Sequence, residues 1–158
     1  MTFYVVCCKF FIFGILIRLF SPHKVIGGLP CTFHRAFDQI ANPLKDIEVL
    51  IEIGFCRVLT SGSKASAVEG SSLIKKLNDV ARGKIIILAG AGVRSSNCLE
   101  LVRETGVKEI HSSAKCKGTF FPELFSHGAH LGTQEDVNFI YFTSAEEVKL
   151  MKKELSNI

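Results

Sequence analysis

The sequence has no CxxC pair, no block of basic residues and only two methionines, Met1 and Met151. Without a CxxC pair, its six cysteines match no common zinc or redox motif, and several fall within apolar strand or helix patterns. We therefore expect reduced thiols in a reducing compartment and a cytoplasmic protein. Lysine and arginine alternate with glutamate and aspartate, and the net charge is only +4. This mild, mixed charge argues against nucleic acid as the main partner.

The first 28 residues are strongly apolar but lack the marks of a membrane span or a cleaved signal. Only eight uncharged residues lie between Lys9 and Arg18, whereas a membrane-spanning helix needs about 20 apolar residues. No basic segment precedes the apolar run, and no small-residue cleavage pattern follows it. We expect residues 1–28 to be an apolar extension of a soluble domain, with a membrane anchor and a targeting signal as open alternatives.

From residue 29 onward the chain repeats a unit of strand, loop and helix. Short β-branched runs begin near Cys31, Arg57, Ile85 and Lys108, at intervals of 26, 28 and 23 residues. Each run is followed by a loop with glycine or serine and then by apolar residues at helical spacing. This arrangement is typical of βα units in a parallel sheet. The sequence therefore predicts one domain with four βα units.

Capping residues and glycines predict the helix boundaries. The predicted helices span residues 42–54, 66–83, 95–106 and the end of the chain. Asn42 is the expected cap of the first helix, and Pro43 occupies its first helical position, where proline is tolerated. Ser95 or Ser96 is the expected cap of the third. The last helix follows a short strand and starts at a capping box within residues 143–147.

All four strands turn polar or glycine-rich at the same end. Alternation directs His34 toward the interior of a barrel and leaves Arg35 in the loop that follows, and it puts His111 and Ser113 on one face. Parallel α/β sheets bind ligands beyond the carboxyl ends of their strands. The candidate ligand-binding residues are therefore His34, Arg35, Asp38, Thr60, Ser61, Gly90, Gly92, His111 and Ser113.

Several of these residues also have a purely structural interpretation. The turn at residues 90–92 and the helix start after it suit a phosphate or carboxylate, yet glycine is also needed for a tight βα turn. His34 can be hydrogen bonded within the protein. Arg35 can pair with Asp38, and Asp38 can cap the turn that follows it. Arg57 opens its strand at the amino end and is interpreted as structural.

These motifs resemble the CutC family of copper homeostasis proteins, which have a (β/α) barrel fold. The similarity lies in TFHRAFD, RVLTSG, IIILAGAGV and EIHSSA, in family order, over residues 29–114. It implies that the four strands are the fifth to eighth of an eight-stranded barrel. The expected fold class is α/β, a partial TIM-type (β/α)8 barrel over residues 29–158 preceded by the extension of residues 1–28. Such a chain is a truncated or alternative product, and its extension is expected to cover the edge of the first strand.

Two positions depart from the family pattern. The family usually has three consecutive glycines at residues 90–92, where this chain has Ala91 in the middle. Lys115 stands where the family usually has arginine, so the charge is kept while the two-pronged guanidinium is lost.

The resemblance implies a cytoplasmic copper homeostasis protein that binds copper. The residues themselves assign no metal ligands, because methionines are scarce and the cysteines lack ligand spacing, although Cu(I) prefers sulfur. His34 and His111 come from strands three apart, which suits a shared ligand better than a shared metal.

Two other hypotheses stay open. One is an enzyme that acts on a small anionic or phosphorylated substrate at the barrel mouth. His34 or His111 would then be the general acid or base, and Arg35 and residues 90–92 would hold the anion. The other is a product that is inactive or unstable because half the barrel is absent. A homodimer through the open edges of the half-barrel is a further expectation.

Overall fold

The computed structural model describes residues 5–7, 29–119, 139–156 and 158. Its main sheet has five parallel strands side by side in chain order. They are β1 (Val5–Cys7), β2 (Cys31–Phe33), β3 (Arg57–Thr60), β4 (Ile86–Gly90) and β5 (Glu109–His111). The four strands predicted after residue 29 are confirmed. Their order is that of a barrel, whereas a doubly wound sheet reverses its strand order at a switch point.

Helices connect the strands and cover one face of the sheet. The described helices are a 3-10 helix (Arg35–Gln39), α1 (Pro43–Glu52), α2 (Ser71–Ala81), α3 (Cys98–Thr105) and α4 (Ala145–Leu155). The sheet contributes the buried side chains of Val58, Ile87 and Ala89 to a core completed by apolar residues of all four α-helices. Because right-handed crossovers between strands in chain order put every helix on the same side, a single core results.

The predicted extension lies mostly outside the described residues, which include only Val5–Cys7 of it. These three residues form β1, with Val6 opposite Thr32 of β2. The pairing agrees with the expectation that the extension covers the edge of the first predicted strand. No helix in the described part of the chain has the length and apolar character needed to cross a membrane.

The second helix starts later than the sequence predicted. α2 begins at Ser71, with Gly70 at its N-cap, rather than at residue 66. Gly70 packs directly on the backbone after β3, where a Cβ atom would overlap the carbonyl oxygen of Ser61. The glycine therefore permits a close approach of two backbone segments, which a pattern of helix periodicity does not reveal.

The predicted cap of the third helix is also displaced. Asn97, rather than Ser95 or Ser96, is the N-cap of α3. Its side-chain oxygen accepts from the Arg94 N–H (2.8 Å), and its amide nitrogen donates to the Gly92 carbonyl (3.0 Å). The side chain thus holds the loop after β4 rather than capping the helix.

The capping box at α4 is half formed. The Ser144 hydroxyl accepts from the Glu147 N–H (3.2 Å), as predicted. The Glu147 carboxylate does not return to Ser144 but accepts from the backbone N–H (2.8 Å) and hydroxyl (3.0 Å) of Ser95. These hydrogen bonds lower the pKa of Glu147, against the opposing effect of burial. The carboxylate consequently joins the start of α4 to the loop before α3.

An antiparallel hairpin separates β5 from α4. Its strands are β6 (Lys115–Thr119) and β7 (Phe139–Thr143), of which only β7 was predicted. The Lys115 ammonium lies 4.5 Å from the centre of the Tyr141 ring. β6 carries two lysines and a glycine, so its conformation depends on pairing with β7 rather than on its own propensity.

Candidate ligand site at the carboxyl end of the sheet

The loops after β2 to β5 are joined to one another by hydrogen bonds. The Asp38 carboxylate, in the 3-10 helix after β2, accepts from the loop after β3. That loop donates the Ala67 N–H to the Ala91 carbonyl after β4 (3.0 Å). The Ser112 hydroxyl, after β5, donates to the Val93 carbonyl (2.6 Å). The four loops therefore form one continuous rim.

Asp38 is the most highly connected of the predicted site residues. Its Oδ1 accepts from the Thr60 hydroxyl (2.5 Å) and from the N–H groups of Ser61 and Ser63 (both 3.1 Å). Its Oδ2 accepts from Arg35 Nε (2.8 Å). Backbone N–H groups in a tight loop are a common binding site for anions. Here a side chain of the protein itself occupies that site.

The ionised form of Asp38 is favoured despite its burial. Only 4% of the side chain is exposed, and burial alone would raise its pKa. Hydrogen bonds from Thr60, Arg35, Ser63 and Ser61 outweigh that effect, so the pKa of Asp38 lies below its ordinary value. The carboxylate is thus a permanent internal anion at neutral pH.

The Arg35 side chain contacts both this network and solvent. Its side chain is 45% exposed, and Nη2 donates to the Ser61 hydroxyl (2.8 Å). That hydroxyl also lies 2.6 Å from the Lys64 carbonyl and 3.1 Å from Asp38 Oδ2. Since a hydroxyl has one proton, the shorter contact identifies Lys64 as its acceptor.

The structure favours the structural alternative for Thr60 and Ser61. Both residues are fully buried, and their polar atoms are used by Asp38, Arg35 and the local loop. They position the rim but offer little surface to a ligand. Asp38 does more than cap its own turn, because it joins two loops.

His34 lies at the N-cap of the 3-10 helix, where its Nδ1 accepts from the Ala36 N–H (2.8 Å). Its ring also stacks on Phe33, with 5.8 Å between ring centres. An accepting Nδ1 places the proton of the neutral imidazole on Nε2. Internal hydrogen bonding and a role at the rim are therefore compatible, because they use different nitrogens.

Gly90 and His111 are brought together at the ends of β4 and β5, where they are register partners. A Cβ atom at Gly90 would lie 2.6 Å from Leu59 Cδ1 and 3.2 Å from His111 Cβ. Gly90 therefore makes room for the neighbouring strands. Gly92 instead adopts φ +68°, which favours glycine, and is exposed. His111 is exposed as well.

Left-handed backbone at residues other than glycine is concentrated along the rim. Ser63, Ala91 and Ala114 have φ values of +57°, +91° and +44°, one in each of the loops after β3, β4 and β5. Such conformations cost about 1–3 kcal/mol each and cluster at functional sites. The strain marks the rim as a specialised surface.

After β5, the serine that joins the rim loops is Ser112, which strand alternation did not single out. Ser113 is exposed, and its carbonyl accepts from the Thr143 hydroxyl (3.2 Å). The Ser112 hydroxyl instead forms the bond between loops. Strand alternation failed here because β5 ends at His111, so the inward and outward faces no longer alternate beyond it.

Sequence reasoning missed three cationic residues of the rim loops: Lys64, Arg94 and, as a site residue, Lys115. Arg94 Nη1 donates to the Lys115 carbonyl (2.7 Å), which adds a second link between the loops after β4 and β5. Lys64 follows the loop that binds Asp38 and is exposed. A basic residue within four positions after each strand end was the available signal.

Arg57 is structural, as predicted. Its Nε and Nη2 donate to the two carboxylate oxygens of Glu109, at 2.7 and 2.9 Å. The pair joins β3 to β5 on the face opposite the core, away from the rim. A two-pronged ion pair of this kind fixes both geometry and charge.

A parallel sheet in chain order, with helices on one face and polar loops at the carboxyl ends, defines part of a (β/α) barrel. The family model for CutC matches residues 19–116, more than half of the chain. The chain belongs to the CutC family. The match starts at residue 19 and so includes the end of residues 1–28, ahead of the motifs that begin after Leu29.

Individual relatives agree with this assignment. The family protein CutC of Pasteurella multocida is 53% identical over 127 residues, which cover 79% of this chain and 51% of that protein. The copper homeostasis protein cutC homolog of Mus musculus is 46% identical over 87 residues, which cover 55% of this chain and 32% of that protein. The chain thus spans about half the length of the Pasteurella protein and about a third of the mouse protein.

A solved structure supports the fold. The crystal structure of the CutC protein from Streptococcus agalactiae matches with a TM-score of 0.53 and 38% identity, over 56% of this chain and 44% of that one. Together with the strand order, this likeness confirms the prediction of a partial barrel.

Replacing Asp38 tests its role in the rim. We expect Asp38→Asn to lower the free energy of unfolding by about 2–3 kcal/mol at pH 7, because an amide nitrogen would face N–H donors. Since the pKa is depressed on folding, the stabilisation is complete above the ordinary value of 3.8 and is lost as the pH falls below it. Urea unfolding at several pH values measures both effects.

Asp79→Asn is the matched control, since Asp79 is exposed on α2. It should change stability by less than about 0.5 kcal/mol. Equal effects of the two substitutions would show that Asp38 does not hold the loops together.

Replacing Ala91 by glycine tests the strain at the rim. We expect Ala91→Gly to raise the free energy of unfolding by about 0.5–1 kcal/mol, because relief of the positive φ exceeds the added backbone entropy of glycine. Ala65→Gly, at an exposed loop alanine outside the left-handed region, should lower it by a similar amount. Thermal and urea unfolding give both values, and the same sign at both positions would contradict the strain.

Proposed function

We propose that this chain acts in copper homeostasis in the cytoplasm and binds copper as its cargo. The observation that carries the proposal is membership of the CutC family across β2 to β5. The mouse and human relatives are named copper homeostasis protein cutC homolog. Because the chain spans about half of its relatives, the activity of the whole protein is extended to it here as a proposal.

The cysteines support a reducing location. Cys31, Cys56, Cys98 and Cys116, the four within residues 29–119, form no disulfide. Reduced thiols are typical of the cytoplasm, where glutathione and thioredoxin keep them reduced. They are also the side chains that Cu(I) prefers.

The donor set fits a site of low coordination. Among the described residues, no three histidine, cysteine, aspartate or glutamate side chains form a group able to hold a metal ion. His34 follows β2, and His111 is the last residue of β5, three strands away. The two strands are about 14 Å apart, at roughly 4.8 Å between neighbouring strands. Two nitrogens about 2 Å from one ion lie within about 4 Å of each other, so this strand separation suits a shared ligand better than a shared metal. Sulfur donors in a pair therefore suit this chain better than an imidazole cluster.

Anaerobic titration with Cu(I) tests the proposal. The purified chain, kept reduced, should withdraw stoichiometric Cu(I) from a chromophoric chelator, whereas Zn(II) should bind far more weakly, because the described residues offer no group of three ligands. The absorbance of the chelator complex gives the stoichiometry. A chain that withdraws no Cu(I) would remove copper binding from the proposal.

A second candidate function is binding of, or catalysis on, a small anion at the rim. Its support is the row of cations after successive strands: Arg35, Lys64, Arg94 and Lys115. Asp38 is the carboxylate of this rim and is already neutralised by Arg35. His111, exposed at the end of β5, is the better placed general acid or base. The predicted homodimer and the hypothesis of an unstable product stay predictions.

Substitution of Arg35 tests the second candidate. Inorganic phosphate and a panel of phosphate monoesters should raise the melting temperature of the wild-type chain, and Arg35→Ala should reduce that shift by at least half, since a half-exposed guanidinium is lost. Each shift is measured against the same variant without ligand, so the change in basal stability cancels. Arg82→Ala, an exposed site beyond α2, should keep the full shift, and equal shifts in all three proteins would remove the candidate.

A further inference from the structure

Two cysteines lie side by side at the amino end of the sheet, opposite the rim. Thr32 of β2 pairs with Arg57 of β3, so Cys31 and Cys56, each one residue earlier, are neighbours. The Cys56 N–H donates to the Cys31 carbonyl (3.0 Å), and the Cys56 sulfur lies 3.0 Å from the same oxygen. The two thiols therefore belong to one small region of the structure.

The spacing of adjacent strands suits a metal with two sulfur ligands. Neighbouring strands lie about 4.8 Å apart. A soft metal ion about 2.3 Å from each of two thiolates holds the sulfurs about 4.6 Å apart when the arrangement is linear. Register neighbours on adjacent parallel strands are therefore spaced so that their two thiols can reach the separation that such an ion requires.

Burial divides the two thiols into an inner and an outer ligand. Cys31 is 3% exposed and packs in the core, whereas Cys56 is partly exposed. An outer thiol accepts an incoming ion from a donor, and an inner thiol shields it from water and oxidants. The apolar core beside Cys31 favours a monovalent soft ion over a hydrated divalent one.

A guanidinium lies beside the outer thiol. Arg57 Nη1 lies 3.7 Å from the Cys56 sulfur. The side chain is held in place by Glu109, through bonds of 2.7 and 2.9 Å from its other nitrogens. Two thiolates and one monovalent cation carry a net charge of minus one, and Arg57, which Glu109 holds in place, supplies an N–H donor toward the outer sulfur.

The two remaining cysteines of this region of the chain are less suitable. Cys98, the first residue of α3, is fully buried, and burial raises the pKa of its thiol. Cys116 lies in the hairpin, where its sulfur contacts the Phe142 carbonyl (3.6 Å). Neither has a second cysteine as its register neighbour.

We propose that Cys31 and Cys56 form a two-coordinate site for Cu(I) at the amino end of the sheet. The inference rests on the proposed copper role and adds a location that the strand-end motifs did not suggest. As each sulfur–copper bond forms, its thiol releases one proton to solvent, and copper stays in the monovalent state throughout.

Substitution of the outer ligand tests the site, because Cys56 is partly exposed and its replacement leaves the core intact. Cys56→Ser should weaken Cu(I) binding, measured against a chromophoric chelator without oxygen, by about 100-fold or more. Cys116→Ser, a cysteine of similar exposure, should leave the affinity within a factor of about two. Circular dichroism verifies that both variants fold.

Alkylation supplies a second readout that needs no variant. Cu(I), or Ag(I) as a redox-inert substitute, should protect Cys56, the exposed thiol of the pair, from a thiol reagent, as mapped by mass spectrometry of peptides. Binding that persists in Cys56→Ser, or protection of other cysteines alone, overturns the site and leaves the copper role standing. Absence of Cu(I) binding by the wild-type chain overturns both.

Discussion

The rim depends on one buried carboxylate. Asp38 occupies the N–H groups of the loop after β3, where an external anion would otherwise bind, and it fixes Arg35 at the same time. The low dielectric around a side chain that is 4% exposed strengthens these bonds and also makes their loss costly. Further bonds, Ala67 to Ala91 and Ser112 to Val93, extend this link from loop to loop. A preformed rim of this kind requires no ligand to order it.

The two ends of the sheet have different chemistry. At the carboxyl end, strained loops present cations and hydroxyls, with hydrogen bonds that run from each loop to the next. At the amino end, the Arg57–Glu109 pair lies beside the sulfur of Cys56. A hard, oxygen-bearing ligand suits the first end and a soft cation suits the second. The copper role of the family and the anion-binding character of barrel rims are thus compatible within one sheet.

Short-range sequence patterns predicted the strands and the helix ends correctly. The β-branched runs gave β2 to β5, and the glycines gave the helix ends, since both signals act within a few residues. The start of α2 was missed because Gly70 responds to the backbone of Ser61, nine positions away. The capping box predicted that the Glu147 carboxylate would bind within its own helix start. It binds Ser95 instead, 52 residues earlier in the chain. Of the candidate site, the rim was predicted, but the use of Thr60 and Ser61 by Asp38 was not, because sequence alternation does not show which polar groups satisfy one another.

The residues just before β6 and just after β7 are bonded to each other. The Ser144 N–H donates to the Ala114 carbonyl (2.9 Å), and Thr143 bonds to Ser113, 30 residues earlier. The fourth βα connection is therefore closed at its base by bonds between residues on either side of β6 and β7. Doubling such a loop costs only about 0.6 kcal/mol. In evolution or in engineering, this is the point at which the unit can gain or lose a segment while its strand and helix stay in register.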